Sequence, residues 1–412
     1  MGQVSRIVVV GGGQAGGQAV DSLRREGFDG EVLLVTAEDQ PPYQRPPLSK
    51  DYLAGRTGLD RVLLRPAEFY AESSIELLTG TRAASIDPGA HRVELATGRT
   101  LDYDRLLLAT GSRVRRLDGM PGAHLEGVLY LRTVEDSDRI RAAMDSAERL
   151  VVVGGGYIGL EVASVAVEAG LAVTVVETLP RLLSRVATSE LAAYYAELHR
   201  GRGVDLRLGS AVAGFRDDGS GAVGSVALAD GSEIAANLVV AGIGIEPVTD
   251  LARAAGIDCE NGIAVDSGCR TSAPDVFAAG DCTSHPNAFF GRRVRLESVP
   301  NAMDQGRVAA AAMLGADRVY ESEPWFWSDQ HGVRLQMAGL SEGADRTVLR
   351  GAYGDESFIA FHLRDGVLIG VDAVNSVREF IFCRRLVAAR ARPDPDALAD
   401  ASVPVRTLLP AR

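Results

Sequence analysis

One pattern, an apolar strand followed by a glycine-rich turn and an amphipathic helix, occurs twice in this chain. In the first copy, Ile-Val-Val-Val at residues 7–10 leads into Gly-Gly-Gly-Gln-Ala-Gly at residues 11–16. In the second copy, Leu-Val-Val-Val at residues 150–153 leads into Gly-Gly-Gly-Tyr-Ile-Gly at residues 154–159. Short apolar runs of this kind are typical of buried parallel strands. The repeat therefore predicts two copies of one α/β folding module.

Both glycine-rich turns have the spacing GxGxxG, in which each glycine has a separate task. Gly11 would allow the tight turn from strand to helix, Gly13 would let a pyrophosphate reach the backbone, and Gly16 would let the helix pack against the strand. The matching positions in the second copy are Gly154, Gly156 and Gly159. Unpaired N–H groups at each helix N-terminus would attract the phosphates. The two fingerprints predict two dinucleotide-binding sites.

A carboxylate follows the second strand of each module, about 20 residues past the last glycine, where a ribose hydroxyl would need an acceptor. Glu38 has this place in the first copy, although the neighbouring Asp39 could serve instead. Glu177 has it in the second copy and would repel a 2′-phosphate, which favours NADH over NADPH. Arg181 and Arg185 follow closely and could offset that repulsion.

Each module closes with a further apolar strand that ends in glycine. Residues 102–111 end in Thr110 and Gly111, and residues 236–244 end in Gly244. A glycine at the end of a buried strand indicates that the backbone passes close to another group. We therefore expect both strand ends to lie beside a nucleotide.

The pattern changes after about residue 321. The apolar runs at residues 358–363 and 367–369 are separated by Arg-Asp-Gly, which is typical of an antiparallel hairpin. Ser376 and Glu379 then have the spacing of a capping box and predict the start of a helix. These features indicate a third, smaller α+β domain.

The fold class that follows is α/β, with two Rossmann-like dinucleotide-binding domains and a C-terminal α+β domain. The first domain is expected to be discontinuous, with residues 1–112 and 246–320. The second is expected at residues 113–245, and the C-terminal interface domain at residues 321–412.

Composition excludes several classes of protein. The net charge of −12 argues against a nucleic-acid binder. The four cysteines form no CxxC pair, and the six histidines are scattered, so neither a redox disulfide nor a metal site is expected. No apolar run reaches the roughly 20 residues that span a bilayer. A strand begins within the first ten residues, so no signal peptide is expected and the cytoplasm is the predicted location.

Five segments resemble one family: residues 43–50, 109–111, 271–281, 297–301 and 324–330. They are similar to the FAD-dependent ferredoxin reductases of bacterial cytochrome P450 and Rieske-type oxygenase systems. These enzymes belong to the pyridine nucleotide-disulfide oxidoreductase superfamily but lack its redox disulfide. The resemblance extends over essentially the whole chain and implies that the two dinucleotide-binding domains are arranged as in glutathione reductase.

The resemblance implies that the first module binds FAD and the second binds NADH. It implies FAD contacts for Gly11, Gly13, Ala15, Gly16, Glu38, Lys50, Ala83, Thr110, Gly111, Arg132, Asp281 and Val299. It implies NAD contacts for Gly154, Gly156, Tyr157, Ile158, Gly159, Glu177 and Gly244. Lys50, the only lysine of the chain, would pair with Glu161 at the flavin edge, and Trp327 would lie near the isoalloxazine ring.

The function that this resemblance implies is an NADH-dependent ferredoxin reductase. Hydride would pass from NADH to non-covalent FAD, and single electrons would then pass to a [2Fe–2S] ferredoxin that feeds a cytochrome P450 or another oxygenase. The alternatives are a rubredoxin reductase and the reductase component of a Rieske dioxygenase. The protein is expected to be a monomer or a weak homodimer with no nucleic-acid or membrane partner. Candidate docking residues for an acidic ferredoxin are Arg292, Arg293, Arg295, Arg307, Arg384 and Arg385.

Overall fold

The computed structural model describes residues 4–410, which form two compact units. Unit 1 comprises the residues up to 44 together with 59–113 and 246–324. Unit 2 comprises residues 45–58 and 114–245 together with those from 325 onward. Each predicted strand–turn–helix module lies in a different unit.

A parallel five-stranded sheet is the centre of unit 1. Its strands, in spatial order, are Val276–Ala278, Arg105–Leu108, Arg6–Val10, Glu31–Val35 and Ile75–Leu78. Arg6–Val10 is the central strand, and the chain continues to one side of it before returning to the other. The carboxyl end of this strand is therefore a topological switch point, where open α/β sheets bind their ligands.

Helices and small sheets complete unit 1. The helices are Gln14–Arg25, Leu59–Val62, Ala67–Glu72, Asp250–Ala254 and Val299–Met313. The strands outside the main sheet are Ala83–Asp87, Arg92–Leu95, Thr100–Asp102, Ile263–Ala264, Thr283–Asn287 and Arg292–Val294. The first and last helices pack so closely that a Cβ atom at Gly306 would lie 2.7 Å from the carbonyl oxygen of Ala15. This contact places the first turn of the helix Gln14–Arg25 against the middle of the helix Val299–Met313.

Unit 2 repeats the parallel sheet with the same arrangement around its central strand. The order is Asp205–Leu208, Ala172–Glu177, Arg149–Val153, Leu238–Ala241 and Val128–Tyr130. Its helices are Val134–Met144, Tyr157–Glu168 and Ser189–Gly201, and an antiparallel sheet contains Val212–Asp217, Val223–Leu228 and Glu233–Ala235. Two Rossmann-like sheets are thus present, as the repeated pattern predicts.

The C-terminal part of unit 2 is an antiparallel five-stranded sheet. Its strands are Trp325–Gln330, Val333–Gly339, Val367–Val374, Phe358–Arg364 and Arg346–Arg350. The predicted hairpin is confirmed: Asp365 and Gly366 form its turn with φ values of 51° and 75°. His331 and Gly332 form a second two-residue turn, with φ values of 51° and 76°. Positive φ at both turn residues matches the twist of paired strands.

The predicted capping box at Ser376 is wrong, although the helix does begin where it was expected. Ser376 is the N-cap of the helix Val377–Ala388, but its side chain accepts no hydrogen bond from the first turn. Its hydroxyl instead donates to the carbonyl oxygen of Val374, 3.0 Å away. The Ser376 hydroxyl therefore forms its hydrogen bond with the end of the preceding strand, and not with the helix as the sequence pattern predicted.

Several short elements remain. They are the 3₁₀ helices Pro46–Ser49 and Val405–Leu408, the helix Pro395–Ala399, and the strands Ser112–Val114 and Ile245–Pro247. None of the helices within residues 4–410 combines the length and the apolar character needed to cross a lipid bilayer.

Candidate functional site

The turn after the central strand of unit 1 can be built only from glycine at two of its three fingerprint positions. Gly11 has φ of 119°, and a Cβ atom there would overlap the carbonyl oxygen of Ala109. A Cβ atom at Gly16 would overlap the carbonyl oxygen of Gly11. These two positions bring the helix Gln14–Arg25 directly onto the end of the strand.

Gly13 differs, because a Cβ atom there would meet no protein atom within 4 Å. It is the N-cap of the helix Gln14–Arg25, and no side chain caps the helix. Within residues 4–410, the buried oxygen atoms Gln14 Oε1 and Asn301 Oδ1 have no hydrogen-bond partner, and both belong to the first turns of helices. Open space and free N–H groups fit a phosphate, and the two unpaired amide oxygens suit hydrogen-bond donors such as the hydroxyl groups of a nucleotide.

The turn of unit 2 has the same construction. Gly154 has φ of 108°, and a Cβ atom there would lie against the carbonyl oxygen of Gly242. A Cβ atom at Gly159 would overlap the carbonyl oxygen of Gly154, whereas one at Gly156 would meet nothing within 4 Å. The helix Tyr157–Glu168 also lacks a side-chain cap. Each unit therefore offers one uncapped helix N-terminus for a pyrophosphate.

The carboxylate predicted for the first ribose lies at the end of its strand in unit 1. Glu38 is half-buried and accepts a hydrogen bond from the hydroxyl of Tyr43. Asp39, the alternative from the sequence, is exposed. Because the Tyr43 hydroxyl orients Glu38, this residue is the better placed of the two.

Other predicted residues of the first site also belong to unit 1. The Thr110 hydroxyl donates to the carbonyl oxygen of Val248 at 2.7 Å, and the neighbouring Gly111 has φ of 67°. Asp281 accepts a hydrogen bond from the Ser112 hydroxyl at 2.9 Å. Ala83 is buried at the start of a strand, and Val299 is the first residue of a long helix. Lys50, Arg132 and Trp327, which the resemblance also assigns to the flavin, belong to unit 2.

Glu177 is hydrogen-bonded to the backbone of the glycine-rich turn of unit 2. Its Oε2 accepts the backbone N–H of Gly155 and its Oε1 accepts that of Leu179, each at 2.7 Å. Each carboxylate oxygen keeps a further lone pair for a ribose hydroxyl. Gly244 lies at the end of a neighbouring strand with φ of 101°, and Arg185 is exposed. The anionic acceptor is thus fixed in place, while Arg185 stays on the surface.

The two remaining predicted contacts of the second fingerprint differ in their environment. The Tyr157 hydroxyl donates to the sulfur of Met337 at 2.9 Å, and its ring lies 4.6 Å from that of Phe326. Burial raises the pKa of Tyr157 well above its usual value. Ile158 is 43% exposed and contributes little to the core. Tyr157 is therefore held by the C-terminal sheet, whereas Ile158 lies open at the helix start.

Lys50 and Glu161 form the ion pair that the resemblance implies, with Nζ 2.6 Å from Oε2. Glu161 is buried, with 3% of its side chain exposed, and Lys50 has 15% exposed. Ser49 donates to the same carboxylate oxygen at 2.5 Å, and Ser328 donates to the other at 2.6 Å. The carboxylate therefore accepts hydrogen bonds from three donors, two of which the sequence did not reveal.

A chain of buried side chains continues from Ser328. Its hydroxyl accepts from Nε2 of Gln330 at 3.0 Å, and Oε1 of Gln330 lies 2.9 Å from Nε2 of His199. Nδ1 of His199 lies 3.1 Å from Nε2 of His331. These residues come from separate segments with no shared motif, so sequence reasoning missed them. The segment 324–330 was singled out, but only for its tryptophans.

Alternate residues of the strand Trp325–Gln330 have separate environments. Phe326 and Ser328 contact the helix Tyr157–Glu168. On the other face, the rings of Trp325 and Trp327 lie 5.5 Å apart, and the Arg384 guanidinium lies 4.6 Å from the Trp325 ring. The structure therefore brings Lys50 and Glu161 together and places Trp327 in an aromatic cluster of its own.

The four cysteines are free thiols, and none of them precedes residue 259. Cys269, Cys282 and Cys383 are buried, and burial raises the pKa of each of these thiols. A raised pKa lowers the fraction of reactive thiolate. These thiols are therefore poorly suited to redox chemistry.

Comparison with known proteins places the chain in a defined family. Residues 5–306 match the model of the pyridine nucleotide-disulphide oxidoreductase family, and residues 325–409 match that of the reductase C-terminal family. A ferredoxin reductase subunit of 5,5′-dehydrodivanillate O-demethylase from Sphingobium is 44% identical over 406 residues, which is 98% of each chain. Putidaredoxin reductase from Pseudomonas putida is 42% identical, with 98% of this chain and 97% of that protein covered. The structure of a covalent putidaredoxin reductase–putidaredoxin complex matches with a TM-score of 0.95 at 42% identity and covers 98% of both chains.

The two kinds of fingerprint glycine predict different mutant behaviour. Gly16→Ala would force the helix away from the Gly11 carbonyl and should lower the free energy of unfolding by about 2 kcal/mol or more. Gly13→Ala has space for its Cβ atom, so the fold should persist while the methyl group occupies the ligand's approach. Thermal melts and the flavin content of the purified proteins check both variants. Equal loss of stability in the two variants would contradict this account.

Proposed function

The chain belongs to the pyridine nucleotide-disulphide oxidoreductase family, and we propose that it is an NADH-dependent ferredoxin reductase that feeds a cytochrome P450 or another oxygenase. When bound, a flavin accepts two electrons as hydride from the nicotinamide and passes them on singly, as an iron–sulfur acceptor requires. The protein supplies binding, orientation and electrostatics. The relatives that are similar over nearly the full length include ferredoxin reductases, which supports the assignment.

The observation that carries the proposal is that, in each unit, a glycine-rich turn at the end of the central strand leads into an uncapped helix N-terminus. The turn at Gly13 and the turn at Gly156 both leave open space where a side chain would otherwise lie. A reductase of this kind needs two dinucleotides at once, one resident and one exchanging. The absence of cysteine before residue 259 removes the disulfide through which many enzymes of the family pass electrons, so the electrons need another acceptor.

We assign FAD to unit 1, where several groups suit a flavin dinucleotide. The uncapped helix after Gly13 suits the pyrophosphate, and Glu38 with its Tyr43 partner suits the adenosine ribose. Asp281, oriented by Ser112, offers acceptor oxygens to the hydroxyls of the ribityl chain. The residues of unit 2 that we assign to the same cofactor are Lys50 and Arg132.

We assign NADH to unit 2, with Glu177 as the residue that selects against NADPH. Its carboxylate is fixed by two backbone N–H groups, so it cannot turn away from a 2′-phosphate without losing both hydrogen bonds. Like charges held close together cost several kcal/mol. The exposed side chains of Arg181 and Arg185 are solvated and offset this repulsion only in part.

Replacing the charge of Glu177 tests the nucleotide assignment. Glu177→Gln keeps the shape of the side chain and removes the negative charge. We expect the ratio of kcat/KM for NADPH to that for NADH to rise about tenfold, which corresponds to about 1.4 kcal/mol. Glu190→Gln, an exposed glutamate on a helix of the same unit, is the matched control and should leave the ratio unchanged. A ratio that is the same in both variants would remove Glu177 from nucleotide selection.

We propose that the acceptor is a [2Fe–2S] ferredoxin, and an acceptor panel tests this directly. The purified flavin-loaded chain is mixed with NADH and cytochrome c, with and without purified [2Fe–2S] ferredoxins and rubredoxins. Cytochrome c reduction should depend on an added ferredoxin. Stimulation by rubredoxin alone would favour the alternative acceptor, and reduction that never depends on a carrier would refute the proposal.

Docking of an acidic ferredoxin requires a local basic surface on this acidic chain. Arg307 is 44% exposed and forms an ion pair with Asp304 one turn earlier, at 2.7 Å. Arg293 is less available, because its guanidinium donates to the carbonyl oxygens of Val265 and Ser284. Arg307 is therefore the better site for a charge reversal.

Arg307→Glu should raise the KM for ferredoxin about fivefold and leave ferricyanide reduction unchanged. The reason is that a rim charge alters partner association but not flavin reduction. Arg200→Glu is a matched control, because Arg200 forms the same i,i+3 ion pair with Glu197 at 2.8 Å on another helix. If both variants change the KM equally, the docking surface lies elsewhere.

A further inference from the structure

The carboxylate of Glu161 is surrounded by hydrogen-bond donors. Its Oε2 accepts from Lys50 and Ser49, and its Oε1 accepts from Ser328. An ionised carboxylate has only acceptor sites, so each of these groups must point its proton toward Glu161. The direction of three hydrogen bonds is therefore set at this residue.

That direction determines the orientation of Gln330, the next residue in this series of hydrogen bonds. The only proton of the Ser328 hydroxyl is used toward Glu161, so its oxygen can act only as an acceptor toward Gln330. The amide nitrogen of Gln330 must therefore face Ser328, and its carbonyl oxygen must face His199. Turning the Gln330 amide round would place two acceptors against each other on the Ser328 side.

The two histidines follow from the orientation of Gln330. His199 must carry a proton on Nε2 in order to donate to Gln330, so its neutral ring accepts at Nδ1. His331 must then donate from its own Nε2. Burial lowers the pKa of His199, and it lowers that of His331 to about 4, so both rings are neutral near pH 7. The tautomers of both rings are thereby specified.

His331, the last residue of this series of hydrogen bonds, also contacts the helix that carries Glu161. His331 lies in the tight turn after the strand Trp325–Gln330, and its backbone N–H donates to Ser164 Oγ at 2.7 Å. Tyr157, Glu161 and Ser164 lie on one face of the helix Tyr157–Glu168, because residues four and seven positions apart share a face. The hairpin therefore contacts this helix at three successive levels.

We propose that His331, His199, Gln330 and Ser328 form a one-way hydrogen-bond chain that positions the Glu161 carboxylate and thereby holds the Lys50 ammonium. This inference rests on the proposed function, in which Lys50 flanks the flavin. Ser328, Gln330, His199 and His331 are positioning residues that act through Glu161. Their hydrogen bonds depend on one another: if one group is turned so that it accepts and no longer donates, the next group loses its hydrogen-bond partner.

The kinetic test compares Ser328→Ala with Ser328→Thr in the flavin-loaded protein. Flavin reduction by saturating NADH is followed by anaerobic stopped flow. In Ser328→Ala the rate constant should fall about tenfold, because Glu161 loses one of the charge-assisted hydrogen bonds that hold it as the acceptor of Lys50. Ser328→Thr keeps a hydroxyl and should restore the wild-type rate constant, and the Kd of NADH should be unchanged in both variants.

The matched control is Thr347→Val, which removes a different hydroxyl from a different buried histidine of the same unit. Thr347 Oγ1 lies 3.2 Å from Nδ1 of His362, which pairs with Asp372 and is not linked to Glu161. Its rate constant for flavin reduction should match the wild type. A rate constant that is the same in Ser328→Ala and Thr347→Val overturns the proposal.

A second readout does not depend on turnover. With ¹⁵N-labelled histidine in the flavin-loaded protein, NMR should show His199 and His331 as neutral Nε2–H tautomers at pH 7. An Nδ1–H tautomer at His199 overturns the proposal. Nε2–H tautomers in a protein whose flavin NADH does not reduce would support the chain and refute the proposed function, so the two failures are distinguishable.

Discussion

The close approach of a helix to the end of a strand is the constraint on which both nucleotide sites depend. The carbonyl oxygens of Gly11 and Gly154 lie where a Cβ atom of Gly16 or Gly159 would otherwise be. No other residue fits there, so the first turn of each helix lies directly on the carboxyl end of the sheet. This places free N–H groups at the switch point of the sheet, where a pyrophosphate gains most from them.

The C-terminal sheet adds a second role to the helix of unit 2. The N-terminus of the helix Tyr157–Glu168 offers the phosphate site, and one face of the same helix carries Tyr157, Glu161 and Ser164. These side chains contact the hairpin that begins at Trp325 through a hydrogen bond at each of the three levels, and the Tyr157 ring also packs against Phe326. The glycine-rich turn and the buried Lys50–Glu161 ion pair thus share one helix.

The sequence allowed the prediction of features whose signal is local. The fingerprint glycines, the hairpin at Asp365 and the start of the helix at Val377 are all encoded within a few adjacent residues. The Lys50–Glu161 pair joins distant segments and could be anticipated only from family resemblance. His199 and Gln330 gave no signal, because a single histidine or glutamine has no periodic partner in its own segment.

The hydrogen-bond partner of the Ser376 hydroxyl could not be predicted from the local sequence. Its spacing to Glu379 suits a capping box, but the hydroxyl donates to the strand carbonyl of Val374 instead. Competition between local acceptors is decided by the tertiary position of the strand end, which the spacing does not encode.

In the function that we propose, this chain holds one flavin that takes its electrons from NADH. An anaerobic titration of the purified, FAD-loaded protein with NADH tests it most directly. The absorbance of the oxidised flavin should be lost in proportion to added NADH, with an end point at one NADH per flavin, because hydride carries two electrons. A protein that retains no flavin, or a flavin that keeps its oxidised spectrum in excess NADH, would contradict the account.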